Sequence, residues 1–239
     1  MSVFHFKQFS IQQDKTAMKI GTDSTLLGAW AKVIEASKIL DIGSGTGVLA
    51  LMSAQRNETA TIIGVEYEEQ AFLQASENIA ASPWANRIKI YHQAIQNFES
   101  VEYFDAIISN PPFYPIDKHL QSKNSARNLA RASKSLEFGE LLEAVSKLLC
   151  PKRGVFSIIL PIEVATIFNN MANTKELFLI EKVNIIPRTG KNINRVLMAF
   201  SKTAAAYSET NITIRTAEET AHNYSKEFKA LLKDFLIIF

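Results

Sequence analysis

Two short segments of this chain carry residues whose types and spacing could do chemistry. One is DIGSGTG at residues 41–47, and the other is Asn110-Pro111-Pro112-Phe113. Each follows a short apolar run that is typical of a buried strand. Ligands of open α/β sheets bind outside the carboxyl ends of the strands, so we expect both segments at one sheet edge. Together they predict a glycine-walled nucleotide pocket beside a site for a planar amine.

The first segment places Gly43, Gly45 and Gly47 where a strand must turn sharply into a helix. Glycine permits positive φ and close approach of a ligand, and the helix N-terminus offers free N–H groups. The spacing differs from the G-x-G-x-x-G turn of dinucleotide enzymes, which argues against a nicotinamide dehydrogenase. A plain glycine turn flanked by two surface acids is the alternative interpretation.

Two acidic residues make the nucleotide interpretation more specific. Asp41 lies before the first glycine, where its carboxylate could attract the ammonium group of a methionine moiety. Glu66 ends the next predicted strand, 19 residues past Gly47, where a carboxylate could accept both ribose hydroxyls. These positions predict S-adenosylmethionine as the cofactor.

The tetrapeptide offers hydrogen-bond acceptors for an exocyclic or amide nitrogen, whose lone pair is otherwise delocalised. The Asn110 side-chain oxygen and the Pro111 carbonyl could accept the two N–H bonds of such an amine and free its lone pair. Asparagine is no strong base, so it would orient the amine and stabilise charge. Pro112 brings no competing N–H, and Phe113 offers a stacking face. Alone the segment could be a rigid loop; beside the pocket it predicts methyl transfer, with these four residues as the catalytic set.

Cationic residues follow the tetrapeptide. The stretch 118–136 contains no acidic residue, and a helix would align four of its cations on one face: Lys123, Arg127, Arg131 and Lys134. A face of this kind beside the amine site is suited to RNA phosphates, and a solvated helix face is the alternative interpretation. A second cationic group surrounds the predicted hairpin near residues 187–190, and it comprises Lys182, Arg188, Lys191 and Arg195.

The elements that must position these residues alternate from residue 38 onward between strand and helix patterns. This alternation predicts an α/β fold with a doubly wound, mostly parallel sheet closed by a C-terminal antiparallel hairpin. Residues 1–37 are expected to form a hairpin and a helix, which Thr22 or Asp23 would cap and which would run to about Ile34. Residues 38–202 would form the core, and residues 203–239 an extension with a strand at 212–215 and a final helix at 225–236.

Composition narrows the class of protein. The chain has 239 residues, 47% of them hydrophobic and 21% charged, with a net charge of +2, so RNA binding cannot be argued from overall charge. One cysteine excludes an internal disulfide framework, and the longest apolar runs fall short of a membrane span. We therefore expect a cytoplasmic, membrane-free protein. The four histidines are scattered without metal-ligand spacing, so no metal site is predicted.

Several further motifs give the chain a recognisable likeness: FKQF at 6–9, AMKIGTD at 17–23, LLGAW at 26–30, SPW at 82–84 and RVLMAF at 195–200. With the two segments above, the sequence resembles class I S-adenosylmethionine-dependent methyltransferases over most of its length. More closely, it resembles the bacterial family that makes N6-methyladenine at position 37 of tRNA1(Val). The resemblance implies a seven-stranded Rossmann-like sheet, with Lys19, Gly21 and Thr22 over the methionine end of the cofactor. It also implies the anticodon stem-loop of a tRNA as partner.

One departure concerns the cofactor adenine. Many such enzymes carry an Asp after the third core strand, but this chain has Ala94 there, so backbone N–H groups of Ala94 or Ile95 would have to serve. Phe113 also stands where many relatives have Tyr, which keeps stacking and loses a hydroxyl. Two other functions stay open: a protein glutamine methylase acting on a translation factor, and a cofactor- or RNA-binding module without turnover.

Overall fold

The structure, a computed structural model, describes residues 3–112, 138–218 and 223–239. An eight-stranded sheet runs through its centre, in the order β10-β8-β9-β7-β6-β3-β4-β5. In chain order its strands are β3 (Lys38–Ile42), β4 (Thr61–Glu66), β5 (Ile88–His92), β6 (Ala106–Ser109), β7 (Val155–Pro161), β8 (Phe178–Arg188), β9 (Arg195–Ser201) and β10 (Ser208–Arg215). β9 is antiparallel to both of its neighbours, and the other neighbouring strands run parallel.

This topology confirms the predicted α/β class, the mostly parallel sheet and the antiparallel hairpin. The sheet has eight strands where seven were expected, because the tail adds β10 at the edge. β10 pairs with β8 from Ser208↔Glu181 to Arg215↔Arg188. The pairing is longer than the expected strand at 212–215 because polar side chains extend it: the Asn184 amide donates to Glu209 Oε1 at 2.7 Å and to Asn211 Oδ1 at 3.0 Å.

Helices cover both faces of the sheet. They are α1 (Thr22–Trp30), α2 (Val48–Arg56), α3 (Glu69–Ala80), α4 (described residues 138–148), α5 (Ile162–Asn173) and α6 (Lys226–Leu232). Successive strand residues point to opposite faces, so Ile39 belongs to the buried cluster that includes α1, α2 and α6, while Leu40 belongs to the one that includes α4 and α5. Burial on both faces explains why the central strands are almost wholly apolar.

Three helices differ from expectation. α6 ends at Leu232 instead of Leu236, because Leu236 forms a β-bridge with Phe6 of the N-terminal segment. α1 ends at Trp30 instead of about Ile34, and its N-cap is Gly21, so the predicted capping by Thr22 or Asp23 is wrong. The Ser24 hydroxyl accepts from the Gly21 N–H at 3.3 Å and donates to the Gly21 carbonyl at 3.0 Å, so a side chain from within the helix stabilises its first turn. α5 was not predicted, because no loop separates it from β7: Pro161 is both the last strand residue and the N-cap of the helix.

The N-terminal hairpin, β1 (Val3–His5) and β2 (Ser10–Gln12), is joined to the core through α3. The Asn78 amide accepts from the Gln12 N–H and donates to the Thr46 carbonyl, both at 2.9 Å, so it ties the hairpin to the glycine turn. The division of the chain at residues 37 and 202 stays a prediction. Throughout the described ranges, helices are either too short or too polar to cross a membrane.

Candidate active site

The glycine turn leaves β3 and enters α2 with an open surface. Gly43, Gly45 and Gly47 have φ values of +73°, +56° and +81°, a region that side-chain-bearing residues rarely adopt. A Cβ at Gly43 or Gly45 would meet no atom within 4 Å, so both residues present bare backbone to a ligand. The Gly43 N–H donates to the Val65 carbonyl at 2.8 Å, which fastens the turn to the end of β4.

Asp41 lies fully buried beneath this turn, with 0% of its surface exposed. Neither carboxylate oxygen has a hydrogen-bond partner among the described residues, and the Ser44 hydroxyl donates to the Asp41 main-chain carbonyl instead. Burial raises the pKa of Asp41 to about 7; the nearby Ser44 hydroxyl opposes this rise, the negative charge of Glu66 adds to it, and the Ala50 backbone opposes it weakly. A buried carboxylate without a partner is suited to receive a cationic ligand group.

Glu66 stands at the end of β4 with both carboxylate oxygens oriented by backbone. Oε2 accepts from the Gly45 N–H at 2.8 Å, and Oε1 accepts from the Glu68 N–H at 2.9 Å. Glu66 lines a cavity of about 300 Å³ together with Gly43, Ala94 and Ile95. Each oxygen keeps acceptor capacity, so this cavity could hold a ring whose hydroxyl groups reach the carboxylate.

Asn110 leaves β6 beside the glycine turn. The register pairs Asp41 with Ile108 and Ile42 with Ser109, so Gly43 and Asn110 are the next residues of two adjacent parallel strands. Asn110 lines a second cavity of about 520 Å³, whose wall includes Lys19, Gly21 and Thr22. Pro111 is half-buried and Pro112 exposed. The site residues after β3 and β6 therefore meet at one sheet edge.

Some predicted site residues lie outside the described residues, and these are Phe113, Lys123, Arg127, Arg131 and Lys134. Arg195, the remaining RNA-binding candidate, does line the cavity that contains Asn110. Its Nε donates to Asp23 Oδ2 at 2.8 Å, which joins β9 to the first turn of α1.

Sequence reasoning missed two charged residues of this cavity, Asp23 as an ion-pair partner and Arg215. Arg215 could have been found from the sequence, because it ends the expected strand at 212–215 and ligands bind at the carboxyl ends of strands. Within residues 3–112, 138–218 and 223–239, no group of three His, Cys, Asp or Glu side chains could hold a metal ion.

The strand order, the glycine turn after β3 and the Asn-Pro-Pro segment after β6 define a class I methyltransferase. A predicted O-methyltransferase from Agrobacterium tumefaciens shares the fold with a TM-score of 0.69 at 17% identity, over 89% of this chain and 96% of that one. A human methyltransferase 10 domain containing protein does so with a TM-score of 0.57 at 15% identity, over 82% and 90% of the two chains. Residues 16–158 match the family described as Methyltransferase small domain.

Closer relatives narrow the class. A tRNA1(Val) (adenine(37)-N6)-methyltransferase from Pseudoalteromonas translucida is 42% identical over 99% of this chain and 99% of its own length. One of the same name from Bacteroides thetaiotaomicron is 40% identical over 98% and 97% of the two chains. The chain belongs to the tRNA1(Val) (adenine(37)-N6)-methyltransferase family.

Proposed function

We propose that the protein transfers a methyl group from S-adenosylmethionine to N6 of adenine 37 in tRNA1(Val). The observation that carries the proposal is the side-by-side exit of Gly43 and Asn110 from β3 and β6, next to the buried carboxylate of Asp41. This arrangement supports a nucleotide-binding turn beside an acceptor for an amine. The names of the full-length relatives agree with adenine N6 as that amine.

The residues after β3 and β4 fit this cofactor. Asp41 offers an unpartnered buried carboxylate for the ammonium group, and Glu66 offers oriented oxygens for the ribose hydroxyls. Gly43 and Gly45 leave room for close approach to the backbone. Backbone N–H groups of Ala94 and Ile95, on the wall of the Glu66 cavity, would contact the adenine ring. Lys19, Gly21 and Thr22 would lie at the methionine end. When bound, S-adenosylmethionine supplies an electrophilic methyl group.

The residues after β6 would prepare the nucleophile. Asn110 and the Pro111 carbonyl would accept the two N6–H bonds and so free the nitrogen lone pair for methylation. Once N6 carries the methyl group, it would release one proton to water. The amide of Asn110 takes up no proton, so it acts by orientation and charge stabilisation. Phe113 would stack on the flipped base and Pro112 would keep the loop rigid.

The RNA contacts in this proposal come from two places. Arg195 lines the cavity of Asn110, and the basic stretch after Phe113 would bind phosphates of the anticodon stem-loop through Lys123, Arg127, Arg131 and Lys134. A tRNA substrate would place the activity in the cytoplasm.

The test uses purified protein, radiolabelled S-adenosylmethionine and unmodified transcripts of tRNA1(Val). We expect label in the transcript with adenine at position 37 and none when guanine replaces it, and mass spectrometry should identify the product nucleoside as N6-methyladenosine. A translation release factor, as a protein with an amide substrate, should stay unlabelled. Equal labelling of the guanine transcript would contradict the proposed base, and labelling of the release factor alone would favour a protein methylase.

A further inference from the structure

The cavity of Asn110 carries more positive charge than methyl transfer to a neutral base requires. Its wall includes three cations, Lys19, Arg195 and Arg215, and one carboxylate, Asp23. The carboxylate is already paired with Arg195 at 2.8 Å. Lys19 and Arg215 form no ion pair with any described residue. The cavity therefore has a net positive charge that an anionic ligand would offset.

Arg215 is held in place by uncharged partners. Its Nη1 donates to Asn223 Oδ1 and its Nη2 to the Tyr224 hydroxyl, both at 3.0 Å. The guanidinium carbon also lies 4.4 Å from the centroid of the Tyr224 ring. These contacts orient the guanidinium without neutralising it, and its remaining N–H groups stay available. A planar, pre-oriented guanidinium is well suited to a phosphate.

The sheet register places Arg215 at the same edge as Asn110. Arg195 pairs with Pro161 at the carboxyl end of β7, and Arg215 pairs with Arg188 at the carboxyl end of β8. β10 lies four strand spacings from β6, or about 19 Å at the usual distance between strands. A base bound at Asn110 does not span that distance, so Arg215 would meet the RNA backbone beside it.

We propose that β10 supplies a phosphate-binding subsite of this enzyme, in which Arg215 binds a phosphodiester of the RNA strand that flanks the methylated base. The inference rests on the proposed function, since it takes the RNA as substrate. The anionic oxygen that Arg215 binds could also belong to the carboxylate of the cofactor, and the experiment distinguishes this carboxylate from an RNA phosphodiester. Arg195 would contribute from the neighbouring part of the same cavity.

The experiment compares wild type with Arg215→Gln in tRNA binding at several salt concentrations, in kinetics and in cofactor titration. We expect the variant to raise the Kd and KM for tRNA roughly tenfold, the loss typical of one hydrogen-bonded charge contact. The log–log salt slope of binding should fall by about 0.7–0.9. The kcat at saturating tRNA and the affinity for S-adenosylmethionine should be unchanged, and retained cofactor affinity also reports correct folding.

Two further variants sharpen the result. Tyr224→Phe removes the hydroxyl that orients Nη2 but keeps the ring and every charge, so tRNA affinity should weaken while the salt slope stays at the wild-type value. Lys152→Gln removes one exposed cation from the turn before β7, at the opposite sheet edge, and should change none of these quantities.

The outcomes separate the two proposals. An Arg215→Gln protein with wild-type tRNA affinity and salt slope overturns the subsite. A loss of cofactor affinity with an unchanged salt slope of tRNA binding also overturns the subsite, because Arg215 would then bind the carboxylate of the cofactor. If wild type itself transfers no methyl group to the tRNA, the proposed function fails instead.

Discussion

Ser109, the last residue of β6, donates a hydrogen bond of 2.9 Å from its hydroxyl to the main-chain carbonyl of Ile42, the last residue of β3. Ser109 is only 2% exposed, so this bond is shielded from water. It joins the two strands at the point where one continues into the glycine turn and the other into Asn110. The spacing between the glycine turn and the segment that begins at Asn110 is therefore fixed by a side chain as well as by the sheet.

Replacing Ser109 with Ala should lower both stability and turnover. Loss of a buried hydrogen bond is expected to cost about 1 kcal/mol of unfolding free energy. The kcat should fall by about tenfold or more because the Asn110 loop is no longer fixed against the turn, while cofactor affinity changes less. Ser157→Ala is the matched control, since Ser157 is equally buried on β7 and its Oγ accepts from the Lys32 N–H at 3.3 Å. It should lose stability but not kcat, and equal loss of kcat in both variants would contradict the positioning role.

The local patterns of the chain predicted the strands that form this edge. The apolar runs before the two site segments are β3 and β6, as predicted, because short apolar runs between polar or turn residues define buried strands well. The glycine turn and the end of β4 at Glu66 also follow from local residue types. Asp41 could be placed before the turn, but not recognised as buried and unpartnered, since burial depends on every element packed around it.

Long-range relations account for what the sequence did not predict. The ion pair between Asp23 and Arg195 joins residues 172 positions apart, and no local pattern links them. β10 owes its length to the amide of Asn184 on the neighbouring strand, which likewise lies far away in the chain. Arg215 lines the cavity of Asn110 only because β10 pairs with β8 as the outermost strand of the sheet.

Removing the carboxylate of Glu66 should weaken cofactor binding. Its two oxygens accept from Gly45 and Glu68 and face the cavity of Ala94 and Ile95. Calorimetry of Glu66→Ala should show a loss of about 1–3 kcal/mol in binding free energy for S-adenosylmethionine. Glu69→Ala, an exposed glutamate in the first turn of α3, is the control and should bind as wild type does. Equal affinities in all three proteins would rule out a ribose contact.

Asp41 should make the stability of the free protein depend on pH. Burial raises its pKa from the ordinary 3.8 to about 7. Between these values the folded protein keeps a proton that the unfolded chain has released, so stability falls as the pH rises. The contribution is fully present below about pH 4 and lost by about pH 7. Urea unfolding should show that the unfolding free energy of Asp41→Asn rises relative to that of wild type as the pH increases across this range. Parallel plots of unfolding free energy against pH for the two proteins would contradict the raised pKa.

The same carboxylate should make cofactor binding depend on pH in the opposite direction. Only ionised Asp41 attracts the ammonium group, and its ionised fraction falls about tenfold for each pH unit well below 7. Affinity for S-adenosylmethionine should therefore weaken by up to about tenfold from pH 6 to pH 5 in wild type. The Asp41→Asn variant should bind S-adenosylmethionine weakly, and with the same affinity at pH 5 and pH 6. A wild-type affinity that is flat between these pH values would argue against the ammonium contact.

Asn110→Ala should abolish most turnover and leave cofactor binding nearly intact. In the proposed mechanism the amide acts on the target amine, and loss of one positioned transition-state partner typically costs about 100- to 1,000-fold in rate. Asn173→Ala, at the exposed end of α5, serves as the control and should keep wild-type kcat. Single-turnover methylation with saturating tRNA is the direct measurement, and an Asn110→Ala rate above a tenth of wild type would refute the assigned role.

The basic stretch after the tetrapeptide should track RNA phosphates. Replacing Arg127 and Arg131 together with Ala is expected to raise the KM for tRNA and to lower the log–log salt slope by about 0.7–0.9 for each lost contact. Cofactor affinity should be unchanged, because the glycine turn lies elsewhere in the chain. Lys226 and Lys229, two exposed cations of α6, give a matched double-alanine control with the same change in net charge. If overall charge alone attracted tRNA, both double variants would lose affinity to the same extent. A loss confined to the Arg127 and Arg131 variant would instead place the phosphate contacts beside the methylated base.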